Sequence, residues 1–145
     1  MRTNIRFKST KFAPLKPEEE QVNPETYGEE LAKWVHDNIG SYGLKAASYF
    51  DEDWGWMVVF GRDFPVWIGC GNVGGSKNEW MCFCEVYRSF KDRLFRKPLP
   101  EKELKQTVEA LYSLIQSEPE ISEIECFETD KRGQEFNYGS IPFGS

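Results

Sequence analysis

Trp54-Gly55-Trp56-Met57-Val58-Val59-Phe60 is separated by Gly61-Arg62-Asp63 from Phe64-Pro65-Val66-Trp67-Ile68-Gly69-Cys70, and the loop Gly71–Ser76 leads on to Glu79-Trp80-Met81-Cys82-Phe83-Cys84-Glu85-Val86-Tyr87. Each run is short, rich in β-branched and aromatic residues, and bounded by Gly, Asp or Asn, which is the pattern of a strand. The connections are too short for crossover helices, so the strands pair antiparallel as a meander. Both faces of these runs are apolar. In the first, Trp54, Trp56, Val58 and Phe60 share one face and Met57 and Val59 the other. A strand that is apolar on both faces is covered on both, or it displays one of them to a ligand.

Toward the N-terminus, Lys45–Phe50 reads as a short strand closed by the turn Asp51-Glu52-Asp53. Before it, Tyr27, Leu31, Trp34, Val35, Ile39 and Tyr42 recur at spacings of three and four, one apolar stripe of a helix. Asn23-Pro24-Glu25 supplies that helix with a start: Asn accepts from free N–H groups, Pro suits the first position, and Glu favours the positive end of the dipole. Gly43 supplies the stop. Residues 14–24 read as a linker, with Pro14, Pro17 and Glu18 to Glu20, and residues 1–13 as a strand around Ile5 and Phe7.

Toward the C-terminus, residues 88–100 are a basic connection ending in Pro98-Leu99-Pro100. A second helix runs from Glu101 to Ser117, with Leu104, Val108, Leu111, Tyr112 and Ile115 on one side. Ile121–Glu128 is a last strand, in which Ile124 and Cys126 alternate with Glu123 and Glu125, and residues 130–145 form a tail. The predicted order is β-α-β-β-β-β-α-β. This is an α+β two-layer sandwich, a mostly antiparallel sheet with two helices packed on one face, in a single domain over residues 1–145.

Composition narrows the function classes. With 39% hydrophobic and 29% charged residues, the chain has the balance of a soluble globular protein, and no apolar run or leader-like segment points to a membrane or to export, so the expected location is the cytoplasm. The net charge is -6, which argues against nonspecific nucleic-acid binding. Residues 17–53 concentrate ten acids against two bases. Such a block is a solvated face or a docking surface for a basic partner. The basic, aromatic stretch Arg88–Lys97 resembles a single-strand nucleic-acid platform in composition, but in a chain of pI about 4.9 it reads as side chains lying over a core edge or meeting an acidic partner. Five Trp, six Tyr and eleven Phe make the aromatic side chains the dominant surface that this fold buries or displays.

Several constellations invite a chemical reading. Asp51, Glu52 and Asp53 precede Trp54 and Trp56, which on a strand share a face and form a stacking platform for a cationic or planar partner; the plainer reading is a turn followed by core tryptophans. Cys70, Cys82, Cys84 and Cys126 fall in strands and read as reduced core thiols. Cys82 and Cys84 point to one face, but the paired Cys-x-x-Cys spacing of zinc sites is missing and His36 is the only histidine, so no metal and no cofactor is expected. Gly71–Ser76 lacks the Gly-Lys-Ser/Thr ending and the following helix of a phosphate loop.

The leading expectation is a small acidic protein-binding module, of the immunity or inhibitor kind. It would block a basic site on a partner, for instance a toxin, through Asp51, Glu52, Asp53, Trp54 and Trp56, with no residue cast as catalytic. The alternative is a small-molecule binder or enzyme with an aromatic pocket walled by Trp54, Trp56, Trp67 and Trp80, and a reactive Cys70 at its rim.

Overall fold

The computed structural model describes residues 2–13, 27–87 and 98–142. It contains seven strands: β1 Arg2–Lys8, β2 Ser48–Glu52, β3 Gly55–Val59, β4 Val66–Asn72, β5 Glu79–Val86, β6 Ser122–Thr129 and β7 Glu135–Gly139. All belong to one antiparallel sheet in the order β2-β3-β4-β5-β1-β6-β7. Two helices, α1 Glu29–Asn38 and α2 Glu101–Ser117, complete an α+β two-layer fold. The helix α1 lies across β2, β3 and β4, while α2 reaches β4 and β5 and touches α1, so both cover the same face. No described helix is long and apolar enough to cross a membrane.

The core forms where the helix stripes meet the sheet. Leu31, Val35 and Ile39 from the first stripe and Val108, Leu111 and Ile115 from the second are buried against Val58, Ile68, Cys70, Trp80, Cys82 and Ile5. Directly paired residues of antiparallel strands share a face, so the register Trp56↔Cys70↔Cys82↔Ile5↔Cys126 defines a row under the helices. Phe12, just past β1, closes this layer by packing on Phe7, Trp34 and Trp80.

Some boundaries differ from the sequence reading. The strand expected over 1–13 ends at Lys8, and the tail expected from 130 contains β7. The helix begins at Glu29 rather than near Asn23, which lies outside the described residues, and it tightens into a 3₁₀ turn at Ile39–Tyr42 before Gly43 stops it at φ 93°. Tyr27 and Gly28 are not helical; Gly28 runs so close to β4 that a Cβ there would sit 2.9 Å from the Cys70 carbonyl. Asp51 and Glu52 belong to β2, and the turn is Asp53-Trp54.

Candidate functional site

The sheet face turned away from the helices carries Phe50, Met57, Trp67, Met81, Phe83 and Phe127, with Arg2 and Arg6 between the aromatic groups. No described helix packs on it. Its relief follows from β4, which presents Trp67, Gly69 and Gly71 to this side in alternation. Beyond Trp67 no β4 side chain rises from this face. Phe83, the cross-strand partner of Gly69, lies flat over that glycine; a Cβ at 69 would be 2.1 Å from the ring. Gly71 has no such cover, and a Cβ there would meet only the Trp54 carbonyl, at 3.7 Å. The result is a cleft of about 520 Å³ floored by Gly71 and walled by Trp54, Trp67 and Phe83, with Arg2 and Glu85 at one end.

Trp54 is 44% exposed and leans on Trp67 and Phe83, with ring centroids 5.7 and 5.3 Å away. Tyr87 continues the cluster at 6.4 Å from Trp67. Arg2 stacks its guanidinium 4.0 Å over the Phe83 ring and donates from Nη2 to Glu85 Oε2 at 3.0 Å. Arg6 repeats the arrangement one pair along, over Phe127 and paired with Glu125. Asp51, Glu52 and Asp53 are exposed at the hairpin tip and form no ion pair with a described residue.

The expected site residues are therefore divided. Trp54 and Trp67 come together on the open face. Trp56 instead turns toward α1, half-buried against Tyr49 at 6.1 Å. Trp54 and Trp56 do not share a face, because Trp54 is a turn residue and the alternation of β3 does not govern it. Trp80 is fully buried, donates its indole N–H to the Ser9 carbonyl at 2.9 Å, and belongs to the core. Cys70 is not at a rim. It has no exposed surface and faces Cys82 across the strand pair, Sγ to Sγ 3.9 Å. Sequence reasoning missed Arg2, Phe83, Glu85 and the two glycines; the signal was the parity of Trp67-x-Gly69-x-Gly71, opposite to that of Cys70.

The cysteines have the environment of inert thiols. Burial, with a contribution from the Cys70 thiol, pushes Cys82 well up, and burial does the same to Cys84. Burial, then the Glu125 charge, raises Cys126 from 9.0 to about 11. A thiol whose folded pKa is raised leaves stability intact below the unfolded value. Between about pH 9 and 11 the unfolded chain loses the Cys126 proton first, and stability falls. The denaturant midpoint should drop across this window, less steeply in Cys126→Ala. At pH 8 a disulfide reagent should modify none of the four thiols at the rate seen in denaturant; one fast native thiol would contradict their burial.

His36 contacts Asp37 through Nδ1 at 2.8 Å and packs on Tyr49. Among the described residues no three His, Cys, Asp or Glu side chains converge to hold a metal ion. The basic stretch 88–97 and the acidic residues 18–25 lie outside the described residues. Comparison with known protein families, curated proteins and solved structures finds no match to this chain.

Proposed function

We propose that this chain is a protein-binding module that docks on a basic site of a partner protein through its open sheet face, in the way an inhibitor or immunity protein occupies a functional surface. One observation carries this reading. An exposed aromatic cluster, with Trp54 and Tyr87 each more than two-fifths exposed, adjoins an acidic tip whose carboxylates lack partners among the described residues. Aromatic anchors in a cleft are what holds protein interfaces, and unpaired charge beside them steers a complementary partner to the surface. The net charge of -6 acts in the same direction at longer range.

The test is crosslinking in lysate of cells that carry the protein, with a reagent that couples carboxylates to amines. The expected product joins Asp51, Glu52 or Asp53 to a lysine-rich surface of one protein. Non-covalent capture of that protein through an affinity tag, without the reagent, should fall at least tenfold in the triple variant Asp51→Asn/Glu52→Gln/Asp53→Asn. Unchanged capture by that variant, or crosslinks confined to α1 and α2, would defeat the proposal. The size of the cleft favours a second reading, since about 520 Å³ lies within the range of small-molecule sites. In that reading Trp54, Trp67 and Phe83 hold a planar compound, and Cys70, on the other side of the sheet, takes no part.

A further inference from the structure

We infer that the cleft reads an arginine: a partner's guanidinium rests on Trp54 over the bare backbone of Gly71 and donates to Glu85. The inference rests on the docking reading above and names the side chain that reading leaves open. Its basis is a pattern on the open face. Arg2 lies over Phe83 with Glu85 at its edge, and Arg6 lies over Phe127 with Glu125 at its edge. Each is a ring, a guanidinium and a carboxylate in contact, the arrangement in which a planar, weakly hydrated cation gains from ring face and carboxylate together. Trp54 has the ring and, through Glu85 across the cleft, the carboxylate, but no cation among the described residues lies over it. Arg2 engages only Oε2 of Glu85, and no described residue donates to Oε1.

The shape of the cleft supports the same occupant. Trp54 and Trp67 are 5.7 Å apart and tilted by 35°, too close for a cation to slide between them, so the available space lies over Gly71 beside Trp54. A flat guanidinium on a long apolar stem suits a floor without side chains and walls of Met81 and aromatic rings. Lysine, a strongly hydrated point charge, gains less from the stacked contact. Asp53 precedes Trp54 in the turn and Glu52, paired with Gly55, belongs to the open face, so their charge favours a cation over a carboxylate side chain. Arg2 adds a like charge, which Glu85 offsets.

The probes are two peptides, acetyl-Gly-Arg-Gly-Arg-Gly-amide and the same sequence with lysine, titrated at low salt while the five tryptophan indole N–H signals are followed by NMR. The Arg peptide should shift Trp54 and Trp67 saturably, leave Trp80 in place, and bind at least threefold more tightly than the Lys peptide. Trp54→Ala should weaken it about tenfold. Arg2→Ala, which removes a like charge and vacates Phe83 and Glu85, should tighten it several-fold, provided thermal melting shows the fold retained. Equal binding of the two peptides, weaker binding in Arg2→Ala, or absence of any saturable shift overturns the arginine inference and leaves docking to be judged by the crosslinks. Shifts confined to Trp34 and Trp56 would defeat both, because they report the helix-covered side.

Discussion

Trp80→Ala is expected to lower the free energy of unfolding by about 3–5 kcal/mol, the usual cost of deleting a fully buried large aromatic, whereas Trp54→Ala should cost about 1 kcal/mol or less. The two residues have the same side chain in different surroundings. Trp80 is at 0% exposure, edge-on to Phe12 at 6.1 Å, and bonded to the Ser9 carbonyl. Its removal leaves a cavity under the helices and strands a carbonyl of a residue that is itself buried, so transfer, cavity and hydrogen-bond losses act together. Trp54 keeps nearly half its surface in water and lies on Trp67 and Phe83, which remain packed on each other at 5.6 Å without it. A large side chain held at such small benefit to the fold is available for another contact. Urea titrations of both variants read the difference directly. Equal losses would mean that the hairpin tip is part of the core and not a displayed surface.

The contrast between these tryptophans also marks where the sequence is legible. Helix stripes such as Leu31, Val35 and Ile39 declare their face, because polar residues occupy the other one. Strand β5 does not. Trp80, Cys82 and Cys84 alternate with Met81 and Phe83, and nothing in that run says which set lies under the helices. Phase comes from tertiary pairing, here from β1, whose Ile5 and Phe7 point to the core while Arg2 and Arg6 point outward. Placing the N-terminal strand between β5 and β6 is a long-range event, with Arg2 opposite Thr129, and no local pattern encodes it. The strand β7 escaped notice because Glu135–Gly139 is only five residues long, ends in glycine, and has its pleat interrupted by Asn137 at φ 57°. Of the tryptophans singled out by their number, Trp54 and Trp67 meet on the open face. Trp56, Trp80 and Cys70 followed from an assumed phase that the turn at Asp53-Trp54 displaces.

Gly69 and Gly71 provide the second large contrast, between fold and function on one strand face. Gly69→Val should destabilise the protein by about 1–3 kcal/mol, the range for forcing extra atoms into a packed site. A Cβ at 69 lands 2.1 Å from Cζ of Phe83, and that ring has nowhere to retreat: Trp54 and Trp67 hold it on one side and Arg2 lies over it. Gly71 has an ordinary strand conformation and open space above it. Gly71→Ala should leave stability unchanged or raise it by about 0.4–1 kcal/mol, because alanine restricts the unfolded chain more than glycine does. Gly71→Val should also fold, β-branched residues being well suited to a strand. Yet each added methyl rises into the cleft where the arginine is inferred to lie. Affinity for the Arg peptide should fall in steps, a few-fold for alanine and at least tenfold for valine, while the denaturant midpoint holds. Loss of stability at 71 matching that at 69 would mean the cleft is closed in solution. Undiminished binding in a folded Gly71→Val would show that the occupant contacts the rim of the aromatic cluster and never reaches its floor.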